Sequence, residues 1–225
     1  MKLKWYGHAA FRVTAADGRS LIMDPYTPET SGYRPIEDIA DGCIISSDND
    51  SFHCRADLLP GAPQTINALT LAREGGLGEL LGIPVRAIEA MEAEDHDEHD
   101  PDQNGMYRIE VDGIHIGHMG DVGNPLNSAQ CEFFKGIDVL LALAGGHPTL
   151  ELDELMDVIQ TVQPPLVIPM HFRTLSYKPR NTFWLEPFLA LMGEAATDFV
   201  CDSEVEIRRE DLPPSTRMWV LNHAN

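Results

Sequence analysis

The chain reads as a mixed α/β protein built on layered sheets, and three features of the sequence predict it. Short apolar, β-rich runs recur along its 225 residues, each closed by Gly, Asp, His or Ser. Asp-Gly turn signals, at Ala15-Ala16-Asp17-Gly18 and Asp112-Gly113, stand between neighbouring runs as tight hairpins require. A helical stripe in the second half lies between two strand-like runs, which makes a strand-helix-strand unit.

In chain order, residues 3–13 form the first β-rich run, and the Asp17-Gly18 turn leads to residues 21–24 and then 43–46. Helical spacing is expected between residues 65 and 81. Strand patterns follow at 85–90, 107–111 and 114–118, the last two joined at Asp112-Gly113, so the first half reads as a meander. Residues 139–143 form a strand, and Leu152, Leu155, Met156, Ile159 and Val162 fall on one helical stripe that Pro164-Pro165 closes. Strands at 166–170 and 205–208 complete the pattern. With no internal repeat and no low-complexity linker, residues 1–225 are expected to form one domain.

Asp and Glu outnumber Lys and Arg 36 to 16, a formal charge of -20. That balance repels nucleic acid and anionic membranes, and Arg208-Arg209 is the only adjacent basic pair. The first residues lack the apolar stretch of a signal peptide and the run at 139–144 is too short to span a bilayer, so a cytoplasmic location is expected. Cys43, Cys54, Cys131 and Cys201 are widely spaced and read as reduced thiols. The most biased segment, residues 92–102, holds seven acidic residues and two histidines, and reads either as a solvated loop or as a metal-attracting one.

The chemistry is suggested by position. Several apolar strands end in a group able to bind a metal or move a proton: Asp24 after 21–23, Ser46 to His53 after 44–45, Asp121 shortly after His118, and His171 after Met170. In layered α/β folds such strand ends gather at one rim, where sites are built. A lone His after a strand is ordinarily a hydrogen-bonded structural residue, and His115, His118 and His223 are read that way.

The residues Trp5-Tyr6-Gly7-His8-Ala9-Ala10-Phe11, Leu21-Ile22-Met23-Asp24-Pro25-Tyr26, His118-Met119-Gly120-Asp121, Gly145-Gly146-His147-Pro148-Thr149 and Ile168-Pro169-Met170-His171-Phe172 follow one another in a telling order. In that order the chain resembles the metallo-β-lactamase superfamily, and within it the branch of ascorbate-6-phosphate lactonase and related metal-dependent hydrolases. The resemblance implies a four-layer αββα sandwich with the site at the rim between the sheets. It implies Asp121 as the aspartate that bridges metals in the family, His171 as the last histidine ligand and His96 as a mid-chain histidine ligand. Asp24 would support the metal loop, while His8 and His147 would face substrate.

The chain departs from the family at Ser46-Ser47-Asp48-Asn49-Asp50-Ser51-Phe52-His53, where the family writes Thr/Ser-His-x-His-x-Asp-His. Ser47 and Asn49 replace histidines, and a one-residue shift brings His53 into the place of the last one, with Asp48 and Asp50 as oxygen donors or proton acceptors. A catalytic Zn²⁺ takes about three protein ligands and keeps one position for water, whose pKa falls toward ~7. His53, His96, Asp121 and His171 would supply those ligands for one ion rather than two, Zn²⁺ or Mn²⁺ with Fe²⁺ as a further candidate. The leading expectation is a hydrolase of a small ester, lactone or phosphoester that works through a metal-bound hydroxide, with Asp24, Asp50 and Asp121 in catalytic roles. The alternative is a sandwich that binds no metal and serves as a ligand-binding or interaction module; a nuclease is disfavoured by the charge. Residues 184–192 offer a contact for a homo-oligomer.

Overall fold

The computed structural model describes residues 1–48, 51–92 and 104–224. One sheet is built from β1 (Lys2–Gly7), β2 (Ala10–Thr14), β3 (Ser20–Met23), β4 (Gly42–Ile45) and β5 (Gln64–Asn67), with β13 (Glu204–Glu206) beside β1. The other runs, in spatial order, β12 (Thr197–Phe199), β14 (Arg217–Val220), β11 (Leu166–Met170), β10 (Val139–Leu143), β9 (Ile114–His118), β8 (Asn104–Val111), β7 (Ile83–Ala90) and β6 (Leu77–Leu80). This is the mixed α/β layering expected from the sequence.

Both Asp-Gly turns form antiparallel hairpins, β2 to β3 and β8 to β9. Asp112 and Gly113 each take a positive φ, 53° and 74°, which matches the right-handed twist of the strands they join. The first run divides at Gly7, where a register shift in the β1/β2 ladder lets the chain turn back. The opening meander does not persist, because β3, β4 and β5 pair in parallel.

The stripe in the second half forms α4 (Leu152–Val162), which connects the parallel strands β10 and β11. Glu151 and Glu154 cap its start reciprocally, and Gln163 ends it in a left-handed conformation before the two prolines. Leu155, Val158, Ile159 and Val162 are buried, each burial contributing roughly 1.5–3 kcal/mol. The helix expected over residues 65–81 is instead β5, the short helix α2 (Ala68–Arg73) and β6. Asn67 starts α2 by accepting from the amides of Leu69 and Thr70, and Gly75 and Gly76, at φ 108° and 74°, end it. The β-branched Thr65 and Ile66 before the cap go to the sheet.

Side chains alternate across the first sheet. Trp5, Phe11, Leu21, Met23 and Ile44 join a core shared with β7 to β11, whereas Tyr6, Ala10, Ile22 and Cys43 form a second cluster on the opposite face. That face is covered by Tyr26, Tyr33, Ile36, Leu59 and Tyr177 from loops around α1 (Pro28–Ser31), a thin layer. The second sheet has the thicker cover. There α3 (Ser128–Phe134), α4 and α5 (Glu186–Met192) lie side by side, and Phe134 packs over Gly117 of β9. Among the described residues no helix is long and apolar enough to cross a membrane.

Candidate metal centre

Strands β1, β3 and β4 run in one direction, and β9, β10 and β11 are mutually parallel. Their carboxyl ends deliver His8, Asp24, Ser46, Asp121, Gly145 and His171. Three of these residues leave their strand in the left-handed region: His8 at φ 53°, Asp24 at 44° and His171 at 60°. For a non-glycine residue that conformation costs about 1–2 kcal/mol, so neighbouring structure must hold it. The His171 amide donates to the His8 carbonyl at 3.0 Å, the Trp5 indole donates to the same carbonyl at 3.0 Å, and the Asp24 amide donates to Ile44 at 2.9 Å. The two sheets are thereby tied together at the point where the imidazoles emerge.

Asp24 is wholly buried and accepts at both oxygens. The Ser46 amide and hydroxyl donate to it at 2.9 and 2.6 Å, Tyr107 Oη at 3.4 Å, and His53 Nδ1 at 3.0 Å. Since a carboxylate only accepts here, the His53 proton sits on Nδ1 and Nε2 presents a lone pair. His118 is committed to backbone: its Nδ1 accepts from Gly120 at 2.9 Å and its Nε2 donates to Ala9 at 3.0 Å. Burial holds its pKa below the ordinary value, against the opposing pull of Asp24.

Asp121 is aimed by the Met119-Gly120 turn. Asn104 accepts from the Asp121 amide at 2.9 Å and donates to Met119 at 3.1 Å. Gly120 has φ 63°, and a Cβ there would stand 2.1 Å from Asn104 Oδ1, so only glycine permits this grip.

The imidazoles of His8, His53 and His171 converge, with one ligand atom of each within 4.8 Å of the others, and all three are buried. His53 Nε2 lies 3.4 Å from one oxygen of Asp121 and His171 Nε2 lies 3.1 Å from the other. Two donors on a tetrahedral Zn²⁺ stand about 3.3–3.4 Å apart, from bonds of about 2.0–2.1 Å. Asp121 Oδ1 has no hydrogen-bond partner among the described residues, so its close approach to His171 is off the line of a hydrogen bond. Nδ1 of His8 and Nδ1 of His171 are also buried without a partner there. A buried carboxylate oxygen without a hydrogen-bond partner among the described residues, set beside imidazole nitrogens, is donor chemistry that fits a divalent cation.

His8 is enclosed by His171 at 3.8 Å between ring centroids, by Phe52 at 5.1 Å and by Tyr177 at 5.2 Å; its Nε2 is 3.2 Å from Tyr177 Oη. Burial, and then the neighbouring His171 and His53, push its pKa well below the ordinary value, only partly offset by Asp121. For Asp121 burial acts upward, but the positive charge that His53 and His171 carry when doubly protonated prevails and holds the carboxyl well below its usual range.

Of the residues singled out in the sequence, Asp24, His53, Asp121, His171 and His8 meet at this rim, and His8 lies within the imidazole cluster itself. His147 is exposed and faces Glu151 at 3.8 Å, so its ring is not part of the cluster. Asp50 and His96 lie outside the described residues. Sequence reasoning passed over Tyr177, whose loop carries no periodic signal, and did not foresee that Asn104 and Tyr107 hold Asp121 and Asp24.

Comparison with known proteins places these observations. Residues 2–171 match the model of the Beta-lactamase superfamily domain. The chain is 26% identical to a UPF0173 metal-dependent hydrolase of Thermoplasma acidophilum over 92% of its own length and 96% of that protein's. It is also 26% identical to a UPF0173 protein of Pyrococcus abyssi, covering 77% of this chain and 84% of that one. Its fold follows the crystal structure of a metallo-β-lactamase superfamily protein from Thermotoga maritima with a TM-score of 0.71 at 24% identity, over 98% and 97% of the two chains.

Proposed function

The chain belongs to the metallo-β-lactamase superfamily, and on that premise we propose that it is a metal-dependent hydrolase of a small ester, lactone or phosphoester working with a single divalent cation. One observation carries the reading: Nε2 of His53 and Nε2 of His171 lie 3.4 and 3.1 Å from the two oxygens of Asp121, inside a buried cluster of imidazoles. These three residues would hold the ion, and a mixed imidazole and carboxylate set suits Zn²⁺, Mn²⁺ or Fe²⁺. The replacement of a family histidine by Ser47 supports one ion over two.

The cation, when bound, supplies Lewis acidity toward the scissile carbonyl or phosphoryl group and toward water. The chain's own residues do the rest. Asp24 fixes the tautomer and aim of His53, a positioning role. Asn104 and Gly120 present Asp121. His8, neutral and held at Nε2 by Tyr177, has no partner at Nδ1 among the described residues, so it can hold or pass a proton at the reacting atom. Phe52 and Tyr177 limit the access of water around it. With a formal charge of -20, the substrate is taken to be a small molecule rather than a nucleic acid.

A second reading, a sandwich that has kept its fold without chemistry, draws on Ser46, whose hydroxyl satisfies Asp24 with no metal needed. Elemental analysis of protein purified without chelator separates the two. Near-stoichiometric metal that is lost in an Asp121→Ala, His171→Ala double variant, together with lost hydrolysis, supports the enzyme; no metal after reconstitution supports the module.

A further inference from the structure

We propose that the cleft made by the loop after β11 recognises an anionic group of the substrate, so that the molecules cleaved carry a carboxylate or phosphate set apart from the bond that breaks. The inference rests on the hydrolase reading and names the substrate class of that same site.

The cleft encloses about 710 Å³ and is lined by Arg173, Arg180, Thr182, Phe183, Trp184 and Glu186 among others. It shares a wall with the metal centre. The Phe183 amide donates to Gly145 at 2.7 Å and the Arg173 amide to Phe183 at 2.8 Å. A Cβ on Gly145 would stand 2.2 Å from the His171 carbonyl and 3.2 Å from Thr182 Cβ, so the loop packs directly against the residue that bears the last imidazole.

Charge singles this cleft out. No Asp or Glu occurs between Asp157 and Glu186, in a chain where acids exceed bases 36 to 16. Many cations elsewhere are neutralised, Lys4 by Asp38, Arg55 by Asp57, Arg209 by Asp138 and Arg217 by Asp198; Arg34, Arg86 and Arg108 also form no ion pair among the described residues, but they do not line this cleft. Arg173 and Arg180 form no ion pair among the described residues, although Glu186 lies on the same cleft. The Arg173 guanidinium lies over the Trp184 ring, 4.8 Å from its centroid, and carries a planar edge of N–H donors. Such an edge matches the paired oxygens of a carboxylate or phosphate. Phe183 and Trp184, 45% and 40% exposed, add an apolar wall for the body of the ligand.

Calorimetric titration of the metal-stripped protein with benzoate, phenyl phosphate and neutral benzamide tests this. One or both anions should bind at least tenfold more tightly than benzamide, with an affinity that falls as salt is raised. Tighter benzoate assigns a carboxylate and tighter phenyl phosphate a phosphate. The preference should vanish in an Arg173→Gln, Arg180→Gln double variant whose circular dichroism matches wild type, and should persist in Asp121→Ala. Wild-type protein that takes up no metal on reconstitution yet still prefers the anions would discredit the hydrolase reading and not the cleft. Equal affinity for all three probes, no binding of any, or unchanged anion binding in the double arginine variant overturns the proposal.

Discussion

Replacing Asp24 by Asn keeps the shape of the side chain and changes one oxygen into a donor, which isolates its positioning role. The oxygen facing the Ser46 amide at 2.9 Å must stay an acceptor, because that backbone donor cannot turn. The new NH₂ therefore takes the other place, where the Ser46 hydroxyl at 2.6 Å can rotate to accept but His53 Nδ1 at 3.0 Å still carries a proton. Relief comes from moving the His53 proton to Nε2, the nitrogen that faces Asp121 at 3.4 Å. Losing the charge assistance of these bonds costs about 2 kcal/mol, or a fall of roughly 4–8 °C in Tm for a chain of this size. Metal affinity should fall about 10–100-fold, since a protonated nitrogen cannot ligate. Chelator competition gives the affinity and thermal unfolding of the metal-free protein gives the stability. Affinity within twofold of wild type, with Tm unchanged, would refute the account of Asp24.

Two further outcomes are expected. Gly120→Ala should retain the fold but lose metal, because the added Cβ, 2.1 Å from Asn104 Oδ1, forces apart the contact that aims Asp121; elemental analysis beside a melting curve checks it. Asp38 accepts from Lys4 at 2.6 Å and from the Tyr6 hydroxyl, and these bonds hold its carboxyl below the usual range. A carboxyl depressed by folding adds stability that is complete above its unfolded pKa and is lost as pH falls through the folded one. Asp38→Asn should therefore lower stability at pH 7 by less than about 1 kcal/mol, the side chain being 34% exposed, and the gap should close on acidification; urea titrations at pH 7 and about pH 3 would show it.

Local physics made much of this fold legible. The Asp-Gly turns, the α4 stripe and strands such as β9, β10 and β11 depend on residues close in the chain, so period and turn chemistry suffice to find them. The segment at 65–81 went otherwise because its Thr-Ile pair found a strand partner in β4, and pairing with a distant strand outweighs local helical spacing. Asp24, Asp121 and His171 stood out because each closes or follows an apolar strand, and parallel strands bring such ends to one rim.

What the sequence by itself determined was therefore the set of elements and which of their ends carry chemistry. Only the tertiary structure decided that His8, read as facing substrate, sits ring to ring with His171, since this depends on two left-handed residues tied by one hydrogen bond across the sheets. It also decided that His53, on a loop without its family motif, is turned toward Asp121 by a carboxylate 29 positions earlier in the chain. The same holds for Arg173 and Trp184, whose cation–π contact beside the candidate metal centre follows from the path of one irregular loop. Periodicity describes neighbours along the chain, whereas a site is a set of distances between residues far apart in it, and packing alone sets those.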